Sequence, residues 1–196
     1  MVKRTQKERS DTTQKKLIAV SRKLFGCNGF TNTSVEDVVQ HAEVTRGALY
    51  HHYPGKEALF KAVTEQIESE LMQDVLKIDL KSGWRTISKG LGVFLDRCVD
   101  QEFRQIILLD GPAVLGLERW HDIDKRFGGA QLKSVIDHYT GESELAQMYA
   151  AMVTNVFIGG LIEAAKSISA AEDPQQARVV AGRIIDRLIK IFQPDE

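Results

Sequence analysis

The sequence predicts an all-α fold: a set of short helices at the N-terminus and a larger helical bundle behind it. Three observations carry this. Apolar residues recur at i, i+3, i+4 and i+7 along most of the chain. The prolines are only Pro54, Pro112, Pro174 and Pro194, and none falls inside a clear helical pattern. No stretch alternates at period two, and the one Asp-Gly pair, Asp110-Gly111, runs straight into a proline.

The first helix is expected to begin within Ser10–Thr13 and to carry Leu17, Val20 and Leu24 on its apolar stripe, flanked by Ile18 and Phe25. It stops at Gly26–Gly29. Thr33-Ser-Val-Glu36 then reads as a capping box, Thr33 capping and Glu36 reaching back. Val35, Val38, Val39 and Ala42 follow at helical spacing. This helix is too short to stand alone and must lean on neighbours. After Ala42-Glu43-Val44, Thr45 caps another short helix, Arg46–Tyr53, that stops before Pro54. A longer helix starts near Gly55-Lys56 with Leu59, Phe60, Val63, Ile67 and Leu71 on one face.

Further helices are expected at about 82–99 and 101–109, with a break at Asp110-Gly111-Pro112, and one or two more at about 117–139, interrupted at Gly128-Gly129. A long apolar helix covers about 143–169. The last helix is the clearest: Asp173-Pro174-Gln-Gln176 supplies an N-cap and a proline in the first turn, and Ala177, Val180, Ala181, Ile184, Ile185, Leu188, Ile189 and Phe192 keep the spacing.

A chain of 196 residues, 43% hydrophobic and 27% charged, has the composition of a globular protein of one large or two small domains. Two cysteines, Cys27 and Cys98, are too few for a disulfide scaffold; both lie in apolar helical patterns and are expected as buried free thiols in a reducing compartment. The N-terminus has positive charge without an apolar run behind it, unlike a secretory signal. The most membrane-like stretch, Tyr149–Ile162, has fourteen residues, and a spanning helix needs about 20. A cytoplasmic protein without a membrane partner is expected.

The net charge of -1 hides a split. Residues 1–56 hold ten Lys and Arg against five acids, a net +5, and residues 57–196 are net -6. A basic end on an acidic body suggests that this end meets a polyanion. That end also contains Thr33–Tyr53, a helix, a three-residue turn and a second helix: the geometry of a helix-turn-helix. The second helix offers donors at Thr45, Arg46, Tyr50, His51 and His52, can anchor through Leu49, and at Gly47 and Ala48 lets the backbone approach a duplex closely. A major groove about 12 Å wide accepts such a helix, whose first turn meets base edges.

The run Gly29-Phe-Thr-Asn-Thr33 through Leu49-Tyr50-His-His52-Tyr53-Pro-Gly-Lys56-Glu-Ala-Leu59 resembles the DNA-binding region of TetR-family transcriptional regulators. The Leu-Tyr-x-His-aromatic-x-x-Lys-x-x-Leu signature is present. The turn departs from the usual Ala-Gly-Val by carrying Glu43, which is strained if residue 43 takes a positive φ. The resemblance implies an N-terminal domain over residues 1–56 that binds DNA and a C-terminal domain over 57–196 that dimerises and holds a small effector. It implies phosphate contacts at the helix N-terminus of Thr33 and Ser34, base contacts from Thr45 and Arg46, phosphate contacts from Tyr50, His52 and Lys56, and either from His51. Lys3, Arg4 and Lys7 could track the backbone or the minor groove.

Enzymatic readings find little support. His51 and His52 are adjacent, so on a helix they point about 100° apart and cannot share a metal as an i, i+4 pair can. Glu118-x-x-His121 has no second copy, which a di-iron bundle needs. No Gly-x-Ser-x-Gly, P-loop or Gly-x-Gly-x-x-Gly occurs. No catalytic residue, metal or cofactor is expected.

In the C-terminal part, the helices at 143–169 and 177–192 are the candidates for a dimer interface, through Ala151, Ile158, Leu161, Ile184 and Leu188. Trp84, Phe94, Trp120, Tyr149, Met152, Asn155 and Phe157 are candidate walls of a mostly apolar effector pocket. The resemblance thus implies a homodimeric repressor released from a palindromic duplex operator by a small molecule. The alternatives are an activator on the same scaffold, a helical-bundle metal enzyme, and a helical interaction module that binds no DNA.

Overall fold

The computed structural model describes residues 6–78, 84–116, 133–134, 136–137 and 143–192, and every described regular element is helical. The helices are α1 (Gln6–Asn28), α2 (Val35–Ala42), α3 (Arg46–His52), α4 (Lys56–Leu76), α5 (Trp84–Arg97), α6 (Gln101–Phe103), α7 (Gly111–Leu115), α8 (Glu144–Ala170) and α9 (Pro174–Phe192). Between α6 and α7 the chain stays helical but widens to a π-helix over Arg104–Asp110. The helices expected at 117–139 and the arm Lys3–Arg4 lie outside the described residues, apart from short helical pieces near Lys133 and Ile136.

The chain forms two compact units. One comprises residues up to Ile67 together with Gln101–Leu117; the other comprises Glu68–Asp100 and the rest of the chain from Glu118. The first unit therefore extends past residue 56. The reason is packing: Leu59, Phe60 and Val63 in the first turns of α4 are fully buried, and Phe25, Phe30 and Phe60 form a cluster with ring centroids 5.1–5.8 Å apart. Such tilted and edge-on pairs add to simple area burial. Leu17 of α1, Val38 and Ala42 of α2, Leu49 of α3, Tyr53 and Leu59 close a second cluster that fastens α2 and α3 to α1. Here α2 obtains the support that its length denies it.

The α6–α7 segment joins this unit through polar contacts as well. Arg22 Nε donates to Glu102 Oε1 at 2.7 Å, and a Cβ at Gly26 would lie 2.9 Å from the Glu102 Cγ, so glycine permits this approach. Four details differ from the sequence reading. α1 already runs at Gln6, and Thr12, inside it, donates its hydroxyl to the Glu8 carbonyl at 2.6 Å instead of capping. The expected break at Asp110–Pro112 is a π-helix passing into α7, with Pro112 in its first turn, where a missing N–H does no harm. Cys27 is exposed, on the opposite side of α1 from buried Ser21 and Phe25. Thr33 is not the α2 cap.

In the second unit α9 packs on α5 and α8, and α8 on α5. Ile87, Leu91 and Leu95 of α5, Ala150, Val153, Phe157, Ala165 and Ile168 of α8, and Ile185 and Ile189 of α9 are among its buried apolar residues. Cys98 is buried beside them, and burial pushes its thiol up to about 12, so it stays protonated. Arg97 donates to Asp74 at 2.6 Å, Arg178 to Asp96 at 2.5 Å, and Ser88 to Asp186 at 2.6 Å, tying α5 to α4 and α9. Ser143 caps α8 by accepting from Ala146 N, and Asp173 accepts from Gln176 N at 3.0 Å at the start of α9, as its sequence predicts. At 27 residues, α8 is long and apolar enough, by length and composition alone, to cross a membrane, which the fourteen-residue count understated. Within this unit its apolar residues divide between the face on α5 and α9 and an exposed face of Leu145, Met148, Tyr149, Met152 and Val156.

Candidate nucleic-acid interface

Ser34 caps α2. Its hydroxyl accepts from Asp37 N at 3.0 Å, and Asp37 Oδ2 accepts from Ser34 N at 2.8 Å and from the Ser34 hydroxyl at 2.6 Å. This is a capping box one residue later than Thr33 and Glu36. The Ser34 hydroxyl, then its backbone N–H, hold the Asp37 carboxyl below its ordinary range. Thr33 is buried, and its hydroxyl donates to the Gly29 carbonyl at 2.8 Å. Its side chain faces inward, which leaves the exposed end of α2 to Ser34 and Glu36.

The turn between α2 and α3 is a Schellman motif. Glu43 sits at φ 50, ψ 45 in the left-handed region. Its N–H donates to Gln40 O, and Val44 N–H donates to Val39 O, both at 3.1 Å. This position favours glycine. Here Lys16 Nζ reaches the Glu43 carboxylate at 2.7 Å from α1, and that hydrogen bond and charge lower the carboxyl's pKa.

Thr45 caps α3 by accepting from Ala48 N at 3.1 Å. Leu49 points into the core and is fully buried. One turn of helix then fixes the rest: Thr45, Arg46, Gly47, Tyr50 and His51 are exposed on one side, and Ala48 and His52 are half-buried beside them. Arg46 is held rather than free. Its Nη1 pairs with Glu36 of α2, its Nη2 lies 3.4 Å from the Tyr50 hydroxyl, and its guanidinium lies 5.5 Å from the Tyr50 ring centroid. The Tyr50 hydroxyl first, then the Glu36 charge, raise its pKa.

Lys56 has a different role from that of a free cation. Its Nζ donates to Phe30 O at 2.8 Å and Thr33 O at 2.9 Å and lies 4.1 Å from the Phe30 ring centroid. On the same loop, Phe30 N donates to Asp110 Oδ2 at 2.7 Å, and Gln105 Nε2 donates to that oxygen at 3.1 Å. Gly29 takes φ 78 to enter the loop. Lys56 and Asp110 thus grip both kinds of backbone group in the segment that leads into α2. Sequence reasoning missed Lys16, Glu36 and Asp110 in these roles. Only the Glu36–Arg46 pair left a signal, opposite charges at the starts of two consecutive short helices.

Among the described residues, the other candidates differ in burial. In the second unit Phe157 is buried and Phe94 half-buried, while Tyr149, Met152 and Asn155 are exposed on α8. Trp120 and the Trp84 side chain lie outside the described residues. Of the proposed interface residues, Ala151, Ile158, Leu161 and Leu188 are half-buried and Ile184 is exposed. An open groove of about 730 Å³ runs between α8 and α9, lined by Val156, Phe157, Ala164, Val180, Ile184 and Leu188, among others.

A support helix packed on the core through Val38 and Ala42, a capped turn and a second helix with an exposed polar face define a helix-turn-helix DNA-binding protein. Comparison with known proteins gives the family. Residues 17–63 match "Bacterial regulatory proteins, tetR family", and residues 84–192 match "Tetracyclin repressor-like, C-terminal domain". The chain belongs to the TetR family of transcriptional regulators, DNA-binding proteins rather than enzymes and commonly repressors. It is 24% identical over 160 residues to the Transposon Tn10 TetC protein of Escherichia coli, covering 80% of each chain. It is 37% identical over 83 residues to a probable acrEF/envCD operon repressor of E. coli K12, covering 41% of this chain and 37% of that one. A TetR-family regulator from Pectobacterium atrosepticum superposes with a TM-score of 0.77 at 27% identity, over 98% of this chain and 99% of that one.

Proposed function

We propose that this regulator is a homodimeric repressor that binds an inverted-repeat operator through α3 and is released by a small molecule held in the second unit. The observation that carries the proposal is the face of α3. Thr45, Arg46 and Gly47 open the helix toward solvent while Leu49 locks it to the core. In a major groove, the first turn of such a helix meets base edges. Arg46 is the base reader, because a guanidinium can meet guanine O6 and N7 with two parallel N–H groups. Thr45, Ala48 and His51 complete the base-facing set. Tyr50, His52 and the N-terminal turn of α2 at Ser34 contact phosphates. Lys56 acts on DNA mainly through the loop it holds.

The exposed apolar residues Val156, Val180 and Ile184 beside the α8–α9 groove support dimerisation on this face, since apolar side chains gathered at one exposed face suit a protein contact. Phe94 and Phe157, on helices that pack together, are the proposed inner walls of the effector site, with Trp84, Trp120, Tyr149, Met152 and Asn155 completing it. Such a protein works in the cytoplasm, where its DNA is.

The test titrates wild type and Arg46→Ala against a selected operator and a scrambled duplex. The variant should lose about ten- to a hundredfold on the operator and little on the scrambled duplex. Equal losses on both would make Arg46 a phosphate anchor and move base reading to Thr45, Ala48 and His51.

A further inference from the structure

Arg46, the proposed reader, is clasped from two sides. Tyr50 lies one turn further along its own helix, and Glu36 reaches it from the first turn of α2. Both members of the Glu36–Arg46 pair keep side-chain exposures of 62%, so the pair stands in solvent at the surface that would face DNA. Exposed ion pairs add little to folding stability. Nor does Glu36 serve the α2 cap, which Asp37 completes. What the pair does accomplish is orientation. A free arginine side chain samples many rotamers, and bidentate recognition of guanine requires its planar fork in one of them.

We infer that Glu36 is a specificity-determining positioning residue: it holds the Arg46 guanidinium ready for a guanine and disfavours DNA on which that guanidinium finds none. The second effect is electrostatic. On a non-cognate sequence Arg46 must either stay with Glu36, bringing a carboxylate toward phosphates, or leave it for a phosphate and abandon the pair. On a cognate site one edge of the guanidinium can keep Glu36 while the other meets the base, since arginine carries five N–H donors. Glu36 therefore weakens random binding more than operator binding. The inference rests on the reading of α3 as the base-reading helix.

Glu36→Gln keeps the side chain's size and removes its charge. The full-length protein and this variant are titrated against the selected operator and a scrambled duplex at several salt concentrations, alone and in an Arg46→Ala background. The expected result is tighter binding to scrambled DNA and a ratio of operator to scrambled affinity reduced by roughly three- to tenfold, the scale of coupling between neighbouring charged residues. The reduction should persist at high salt and vanish in the Arg46→Ala background. If Glu36→Gln tightens both duplexes by one factor that salt erases, its charge acts only at long range and the inference is overturned. A reduction that survives without Arg46 overturns it too. If Arg46→Ala lowers the ratio but Glu36→Gln does not, the inference fails while the reading of α3 stands. If Arg46→Ala leaves the ratio untouched, the base-reading role fails and takes the inference with it.

Discussion

The Lys56 ammonium donates to the Phe30 carbonyl at 2.8 Å while lying 4.1 Å from the centre of the Phe30 ring. One residue thus meets the cation twice, through its backbone oxygen and its aromatic face. A second carbonyl, that of Thr33, completes the grip. Lys56 fastens the segment before α2 to the start of α4, so its removal should act on folding first. Lys56→Ala should lower unfolding stability by about 1–3 kcal/mol, the range for charged hydrogen bonds lost at partly buried acceptors. It should weaken operator and scrambled duplex alike. Denaturant unfolding beside DNA titration checks this; unchanged stability with a reduced salt slope would restore Lys56 as a plain phosphate anchor.

The same loop is held from the other side by Asp110 Oδ2, which accepts from Phe30 N at 2.7 Å. Asp110→Ala should leave this amide without its acceptor. Hydrogen exchange at Phe30 should then accelerate at least tenfold relative to the amides of α1, a change that corresponds to about 1.4 kcal/mol of lost protection. Equal protection in variant and wild type would show that Lys56 suffices.

Glu43 bears the backbone strain of the turn at φ 50. A β-branched residue is least tolerant of that conformation, so Glu43→Val should lower the thermal midpoint clearly. Glu43→Gly should stay close to wild type, because relief of strain opposes the loss of the Lys16 pair. A melting series of the two variants decides it, and a Val variant as stable as wild type would contradict the role given to the turn.

The capping box sets a pH dependence. The folded pKa of Asp37 lies below its ordinary 3.8. Its contribution is therefore complete above that value and is lost as pH falls through the depressed folded pKa. Ser34→Ala should cost about 0.5–2 kcal/mol at neutral pH and flatten the acid limb of stability below about pH 4, which unfolding measured at a series of pH values from 2 to 6 would show.

Leu188→Asp should produce monomers with reduced operator affinity. Leu188 lines the α8–α9 groove, and a carboxylate without a partner is costly in an apolar contact. Light scattering reads the mass directly; a persistent dimer with unchanged affinity would place the interface elsewhere.

The helix-turn-helix was legible because its signals are local. Thr45 as cap, Leu49 as anchor and the apolar spacing of Val35, Val38, Val39 and Ala42 lie within a few residues of the structure they specify. The α2 cap slipped by one residue because Thr33 and Ser34 both cap well, as Glu36 and Asp37 both complete a box; burial of Thr33 decides between them. The roles of Lys56 and Asp110 left no trace in the sequence, since their partners are backbone groups some 26 and 80 positions away. The π-helix before Pro112 ends at Asp110, whose partner Phe30 is likewise remote in sequence. On α8, helical spacing named apolar residues without saying which side they face. Tyr149 and Met152 proved exposed and Phe157 buried, because a helix that is apolar on both its packed and its exposed face carries no polar stripe to mark the outside.

In the proposed complex, α3 of two copies reads a symmetric site. Selection of duplexes bound by the wild-type protein from a random pool tests it most directly. The expected consensus is an inverted repeat whose half-sites lie about one helical turn apart or a little more, with a guanine in each half-site whose enrichment disappears with Arg46→Ala. A consensus without a dyad, or a pool that shows no enrichment, would contradict it.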